Sequence, residues 1–181
     1  TELEQFLKIY IQEEEEMEEN EISSRYKETE DTLVANSRFL LDNFEEEPIS
    51  FIVKNHILVS VRSQELRSFN ETVKKMFANP RNYPNGFYIL VALLETRVEY
   101  DADMIEELAK EITQLSNRLK TDDDVSDDIL IAIKELQEKT MLIRENIIDK
   151  QRVCSNMLKS ELFPNEAKTK LLTSRSEQIQ A

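Results

Sequence analysis

Residues 126–158 read SDDILIAIKELQEKTMLIRENIIDKQRVCSNML. Within them Ile129, Ile133, Leu136, Thr140, Ile143, Ile147, Lys150, Cys154 and Met157 recur at alternating steps of four and three. That is a heptad seam, the spacing that keeps one stripe of a helix facing a partner. No proline or glycine interrupts it. A helix over the whole stretch would run roughly 50 Å, at about 1.5 Å per residue. Such a helix is unstable alone in water, so its seam is expected to lie on other helices of the same chain. Lys150 on the seam predicts some exposure near that end, its stem on apolar surface and its ammonium in water.

Composition supports the same picture. The chain has 181 residues, enough for one domain with a substantial core. It holds one glycine, Gly86, and four prolines, while 33% of its residues are charged. Glycine serves the tight hairpins of sheets and the close backbone approach of phosphate loops. Its scarcity excludes a glycine-rich nucleotide loop and points to an all-α protein. The single cysteine, Cys154, excludes an internal disulfide and a cysteine-based zinc site, and on the seam it reads as a small buried hydrophobe. No apolar run approaches the roughly 18–20 residues needed to span a bilayer. The first residue is Thr1 rather than Met. That suggests a segment of a larger protein, in the cytoplasm or nucleus.

The formal charge of −14 is unevenly spread. Residues 1–50 carry 16 acidic and 4 basic side chains, residues 51–181 carry 21 and 19. An acidic helical pair is therefore expected over 1–47. Ile22, Tyr26, Leu33, Leu40 and Phe44 mark the face of its second helix. Central helices are expected over 48–120 and the long helix with a terminal one over 121–181. Pro48 suits the first turn of a helix lined by Ile49, Ile52, Val53, His56, Ile57 and Ser60. The β-branched residues of Phe51–Val61 also fit a strand. Helix is preferred because no second strand is available to pair with it. Ser63 would cap the next helix, which carries Leu66, Phe69, Val73, Met76 and Phe77. After the loop NPRNYPNG, residues 79–86, the run Phe87–Leu94 is apolar on every side and should be buried all round. The sum is about eight helices in consecutive antiparallel pairs, a multi-helix bundle or a short α-solenoid.

Candidate sites are few. KTDDDVSDD, residues 120–128, fails as a calcium loop, because Asp127 and Ile133 stand where glycine and glutamate are required. Its aspartates suit a helix N-terminus instead. Asn70-Glu71-Thr72 matches a glycosylation acceptor but lies inside an expected helix. His56 reads as a satisfied core histidine. Lys54, Arg62, Arg67, Lys74 and Lys75 form a basic segment that packs beside the acidic pair or binds an acidic partner. Glu14, Glu15 and Glu18 lie in an acidic run able to grip a basic one. Tyr83 and Phe87 are candidate loop contacts.

No catalytic, metal or cofactor constellation is visible. The expected function is a non-enzymatic interaction module, a helical scaffold or adaptor that takes partner helices or peptides in its grooves. The alternative is an acidic chaperone-like binder of basic cargo. Partners are expected to be proteins, with no nucleic acid, no membrane span, and possible oligomerisation through the 126–158 seam.

Overall fold

The computed structural model describes residues 2–10, 25–121 and 127–180. Its architecture is α/β. A short helix α1 (Glu2–Leu7) precedes strands β1 (Tyr26–Glu28), β2 (Thr32–Leu40), β3 (Glu46–Lys54) and β4 (Ile57–Val61). Helices α2 (Arg67–Ala78), α3 (Gly86–Thr121), α4 (Asp127–Lys159) and α5 (Asn165–Gln180) follow. The strands form one antiparallel sheet in the order β1-β2-β3-β4.

This overturns the all-α bundle or solenoid. The stretch expected to be a helix from Ile22 to Phe44 contains β1 and β2, and Phe51–Val61 runs from β3 into β4. The partner strand is β2, which pairs with β3 from Thr32↔Lys54 to Leu40↔Glu46. The seven-residue spacing of Tyr26, Leu33 and Leu40 imitates a helix face. In β2 the true period is two: Leu33, Ala35 and Phe39 enter the main core.

The sheet turns its corners almost without glycine. The β3–β4 hairpin has a two-residue loop, Asn55-His56, with φ of 48° and 67°. Both central residues of the favoured hairpin turn need positive φ, and asparagine tolerates it well. His56 is therefore an exposed turn residue rather than a core histidine. The β2–β3 turn uses Phe44 at φ 64°, between the bonds Leu41 N to Glu45 O (2.8 Å) and Phe44 N to Leu41 O (2.9 Å). Pro48 lies within β3 opposite Arg38, before the residues that pair with β4 begin at Ser50. Its missing N–H thus removes no bond to β4.

Helices cover one face of the sheet. Leu33, Ala35, Phe39, Ile49, Phe51 and Val53 meet Leu90, Val91, Leu93 and Leu94 of α3, Val153 and Met157 of α4, and Ala167 and Leu171 of α5. Cys154 packs against this core from partial exposure. A second cluster of Leu40, Leu108 and Ile143 joins the strand end to the α3–α4 hairpin. The seam of 126–158 is thus largely buried inside the chain at its C-terminal half, and against strands as much as helices. At its other end Ile129 is buried on the seam, while Leu130, Ile131 and Met141, which lie off the seam, are exposed.

Gly86, the first residue of α3, donates its N–H to His56 O at 2.6 Å. A Cβ there would sit 2.6 Å from Leu58 N and 2.8 Å from Ile57 C, both fixed backbone atoms. The single glycine therefore seats the long helix on the hairpin, while Asn85 Oδ1 caps its start by accepting Phe87 N–H at 3.0 Å. Gly86→Ala should lower stability by roughly 1–3 kcal/mol through enforced backbone displacement. A thermal melt checks this, and an unchanged midpoint would contradict the close approach.

Candidate functional site

The densest chemistry in the described residues is a buried ionic joint where the end of β2 meets α3 and α4. Arg97 of α3 donates from Nε and Nη2 to Asp101 Oδ1 at 2.8 and 2.6 Å, and from Nη1 to the Leu40 carbonyl at 2.7 Å. Arg97 and Asp101 are four residues apart, so one helix face carries both. The other carboxylate oxygen, Asp101 Oδ2, takes Lys150 Nζ of α4 at 2.8 Å. Lys150 also donates to Asn146 Oδ1, and Asn146 Nδ2 donates to the Arg38 carbonyl at 2.8 Å. Arg97 and Lys150 both stand over the Phe39 ring, 5.2 and 5.5 Å from its centroid. Cation–π attraction strengthens where water is excluded, as it is around this ring.

Asp149 extends the joint outward. It accepts from Ser37 Oγ at 3.2 Å and pairs with Arg25, which precedes β1. Arg97, Asp101, Asp149 and Lys150 are all less than a tenth exposed. Burial lowers the Lys150 pKa to about 8; Asp101 opposes that shift, and the nearby Arg97 adds to it. Lys150 is thus buried within the joint and does not reach solvent as its seam position suggested.

A second buried carboxylate, Glu47 of β3, fixes the loop into α2. It accepts Ser63 N at 2.6 Å, Gln64 N at 3.0 Å and Ser63 Oγ at 2.8 Å. Ser63 therefore ties the loop to the sheet and does not cap α2, whose cap position, Leu66, makes no side-chain bond.

The residues singled out from the sequence are dispersed. Lys54 pairs with Asp31 at 3.2 Å, Arg67 with Asp42 at 3.6 Å, Lys74 with Glu71 at 2.6 Å and Lys75 with Glu99 at 3.0 Å. Arg62 covers the Phe69 ring at 4.6 Å. Four of these five cations are paired with acids of the chain, and two of those acids, Asp31 and Asp42, lie in the acidic 1–47 segment. Phe87 is a core residue, edge-on to Phe163 at 5.2 Å between centroids. Tyr83 lines a shallow hollow with Tyr88 and Lys170. Glu14, Glu15 and Glu18 lie outside the described residues, as do residues 122–126 of the aspartate run. Thr72 of the acceptor pattern is fully buried in α2. The sequence reading missed Arg97, Asp101, Asn146 and Asp149. The available signal was three polar residues, 146, 149 and 150, crowding the apolar seam.

The joint cannot act as a metal cage, because cations already occupy both Asp101 oxygens. Among the described residues no group of three or more His, Cys, Asp or Glu is placed to hold a metal ion. No helix among them is long and apolar enough to cross a membrane.

A family model described as a CorA-like Mg2+ transporter protein matches residues 1–180. The magnesium transport protein CorA of Wolinella succinogenes is 34% identical over 175 residues, 92% of this chain and 54% of that protein. That of Campylobacter jejuni strain RM1221 is 34% identical over 171 residues, 87% of this chain and 52% of the relative. The chain spans about half the length of the curated relatives it matches. The complete CorA magnesium transporter of Methanocaldococcus jannaschii superposes with a TM-score of 0.77, over 99% of this chain and 58% of its own, at 14% identity. Its separately solved soluble domain gives 0.71 over 86% of this chain at 17% identity. These likenesses establish the fold. The family match overturns the helical adaptor and the acidic chaperone alike. It also overturns the expectation of a cytoplasmic or nuclear interaction module with protein partners and no membrane span, because the relatives it matches are named as magnesium transport proteins.

The joint makes a pH prediction. The folded pKa of Lys150, about 8, lies below the ordinary lysine value of 10.5. Between these values the unfolded chain binds more protons, so unfolding free energy should rise with pH from about 8 toward 10. Lys150→Met should lose that rise, a relative change of about 1–3 kcal/mol. Urea unfolding of both proteins across this range checks it, and parallel pH profiles would contradict it.

Proposed function

The chain belongs to the CorA-like Mg2+ transporter family, and on that premise we propose that it is the soluble part of a Mg2+ transport protein and breaks no bonds. Mg2+ is cargo in this reading, not a resident cofactor. The single observation that carries it is the family match across residues 1–180. The fold, a sheet with two long helices laid on it, supports it.

The chain's own contribution is mechanical. Helices α3 and α4 have 36 and 33 residues, so each is roughly 50 Å long at about 1.5 Å per residue. Only part of each rests on the sheet. Their attachment is the joint of Arg97, Asp101 and Lys150 around Phe39, with Leu40, Leu108 and Ile143 beside it. Breaking a buried pair by removing one partner costs about 3–5 kcal/mol, because the remaining charge is left uncompensated. Displacement of the helical hairpin is therefore transmitted to the sheet and is not lost in local slippage. Mg2+ holds its water shell tightly and prefers near-ideal octahedral oxygen ligands. The joint, with its lone pairs already engaged, holds the helices and leaves the cargo alone.

The test uses the full-length protein that carries this chain, reconstituted in liposomes containing a Mg2+-sensitive dye. External Mg2+ should raise the internal signal, and empty liposomes should not respond. A protein that inserts into the bilayer yet passes no Mg2+ would contradict the proposal.

A further inference from the structure

On the sheet face opposite the helical core, at the end nearest the β3–β4 turn, lies a cavity of about 330 Å³. Its floor is a cross-strand row. Lys27 of β1 pairs with Val34 of β2, and Val34 pairs with Ile52 of β3. Thr32 and Lys54 form the next same-face pair. The segment after α1 makes the roof, with Ile9 and Tyr10. Lys8 adopts φ 52°, and Ile9 N–H reaches back to Glu4 O at 3.2 Å, which closes the helix end. That turn brings the Lys8 carbonyl to accept Lys54 Nζ at 3.1 Å.

Three lysines and one acid, Asp31, line this cavity in a chain whose overall charge is −14. Lys54 is committed to Asp31 at 3.2 Å. The ammonium groups of Lys8 and Lys27 make no ion pair or hydrogen bond among the described residues. Lys8 and Lys27 thus offer ammonium donors at one cavity, and an anionic ligand would accept from them. Beside the cations are an apolar floor, Ile9, Val34 and Ile52, and the largely exposed Tyr10. Small-molecule sites commonly combine a few placed charges with an apolar wall, in volumes from about 300 Å³ upward.

We propose that this cavity binds a nucleoside monophosphate, its phosphate on Lys8 and Lys27 and its base over the apolar floor beside Tyr10. The site needs no glycine loop, because lysine side chains supply the donors that a loop's amides would otherwise give. It is separate from the ionic joint, and it does not depend on the transport reading.

Calorimetric titration of the 181-residue chain with AMP and UMP tests the proposal, with ribose 5-phosphate and inorganic phosphate as the control probes. The nucleotides should bind with Kd of about 0.1–1 mM. Ribose 5-phosphate and inorganic phosphate should bind several-fold more weakly. Lys27→Gln, on an exposed edge strand, should weaken nucleotide binding at least about fivefold. Lys8→Gly should do the same, while its left-handed backbone becomes easier to adopt. Both variants should melt at or above the parent temperature less a degree or two, which separates lost binding from lost folding. Three results would overturn the proposal: no saturable nucleotide binding, equal binding of inorganic phosphate, or nucleotide binding unchanged in both variants.

Discussion

A buried aromatic ring with a cation on it twice over is the constraint that organises this molecule. Phe39 sits near the end of β2, fully buried, with Arg97 and Lys150 both over its ring. Neither cation could be left there without an acid, and Asp101 answers both. Arg97 also holds the Leu40 carbonyl, and Asn146 the Arg38 carbonyl. Those two carbonyls belong to the last residues of the strand. Both long helices are thereby bonded to one strand end by side chains whose release would strand a charge in apolar surroundings. Apolar packing supplies most of the adhesion, and the ionic joint sets where along their length the helices attach.

The sheet is achieved against the composition. Hairpins usually rely on glycine for positive φ, and this chain has one glycine in all. Asn55, His56 and Phe44 take the left-handed conformations instead. The cost of placing Phe44 there is offset by its ring, which packs on the second cluster with Lys139 5.2 Å from its centroid. The glycine itself is used where no side chain fits, at the contact of α3 with the hairpin backbone.

That distribution explains what could be read from the residues and what could not. The heptad spacing of residues 129–157 marks a real long helix, because helix periodicity survives when one face is buried over many turns. The apolar run Phe87–Leu94 marks the buried start of α3. The strands were hidden by two accidents. Tyr26, Leu33 and Leu40 fall seven apart, and β2 carries Ser37 and Asn36 at buried positions, so its alternation is blurred. With β2 read as helix, β3 has no partner and its β-branched residues point to nothing. The joint was half legible. Lys150 stood out on the seam, but a lone lysine there also fits an exposed helix end, and the partners that bury it come from 49 residues earlier in α3 and from β2. A charge balance over a segment could not reveal which acids each cation meets. Nor does any local motif announce the family, since the described residues contain no metal cage that would leave a ligand spacing.

The sheet and the helical hairpin behave as one cooperative body through the Phe39 joint. Native-state hydrogen exchange measures this directly. The amides of Phe39 and Leu40 should exchange with the same opening free energy as those around Arg97 in α3 and Lys150 in α4, at the global unfolding limit. Exchange of the α3 and α4 amides through a low-energy opening, while the β2 amides stay protected, would contradict it.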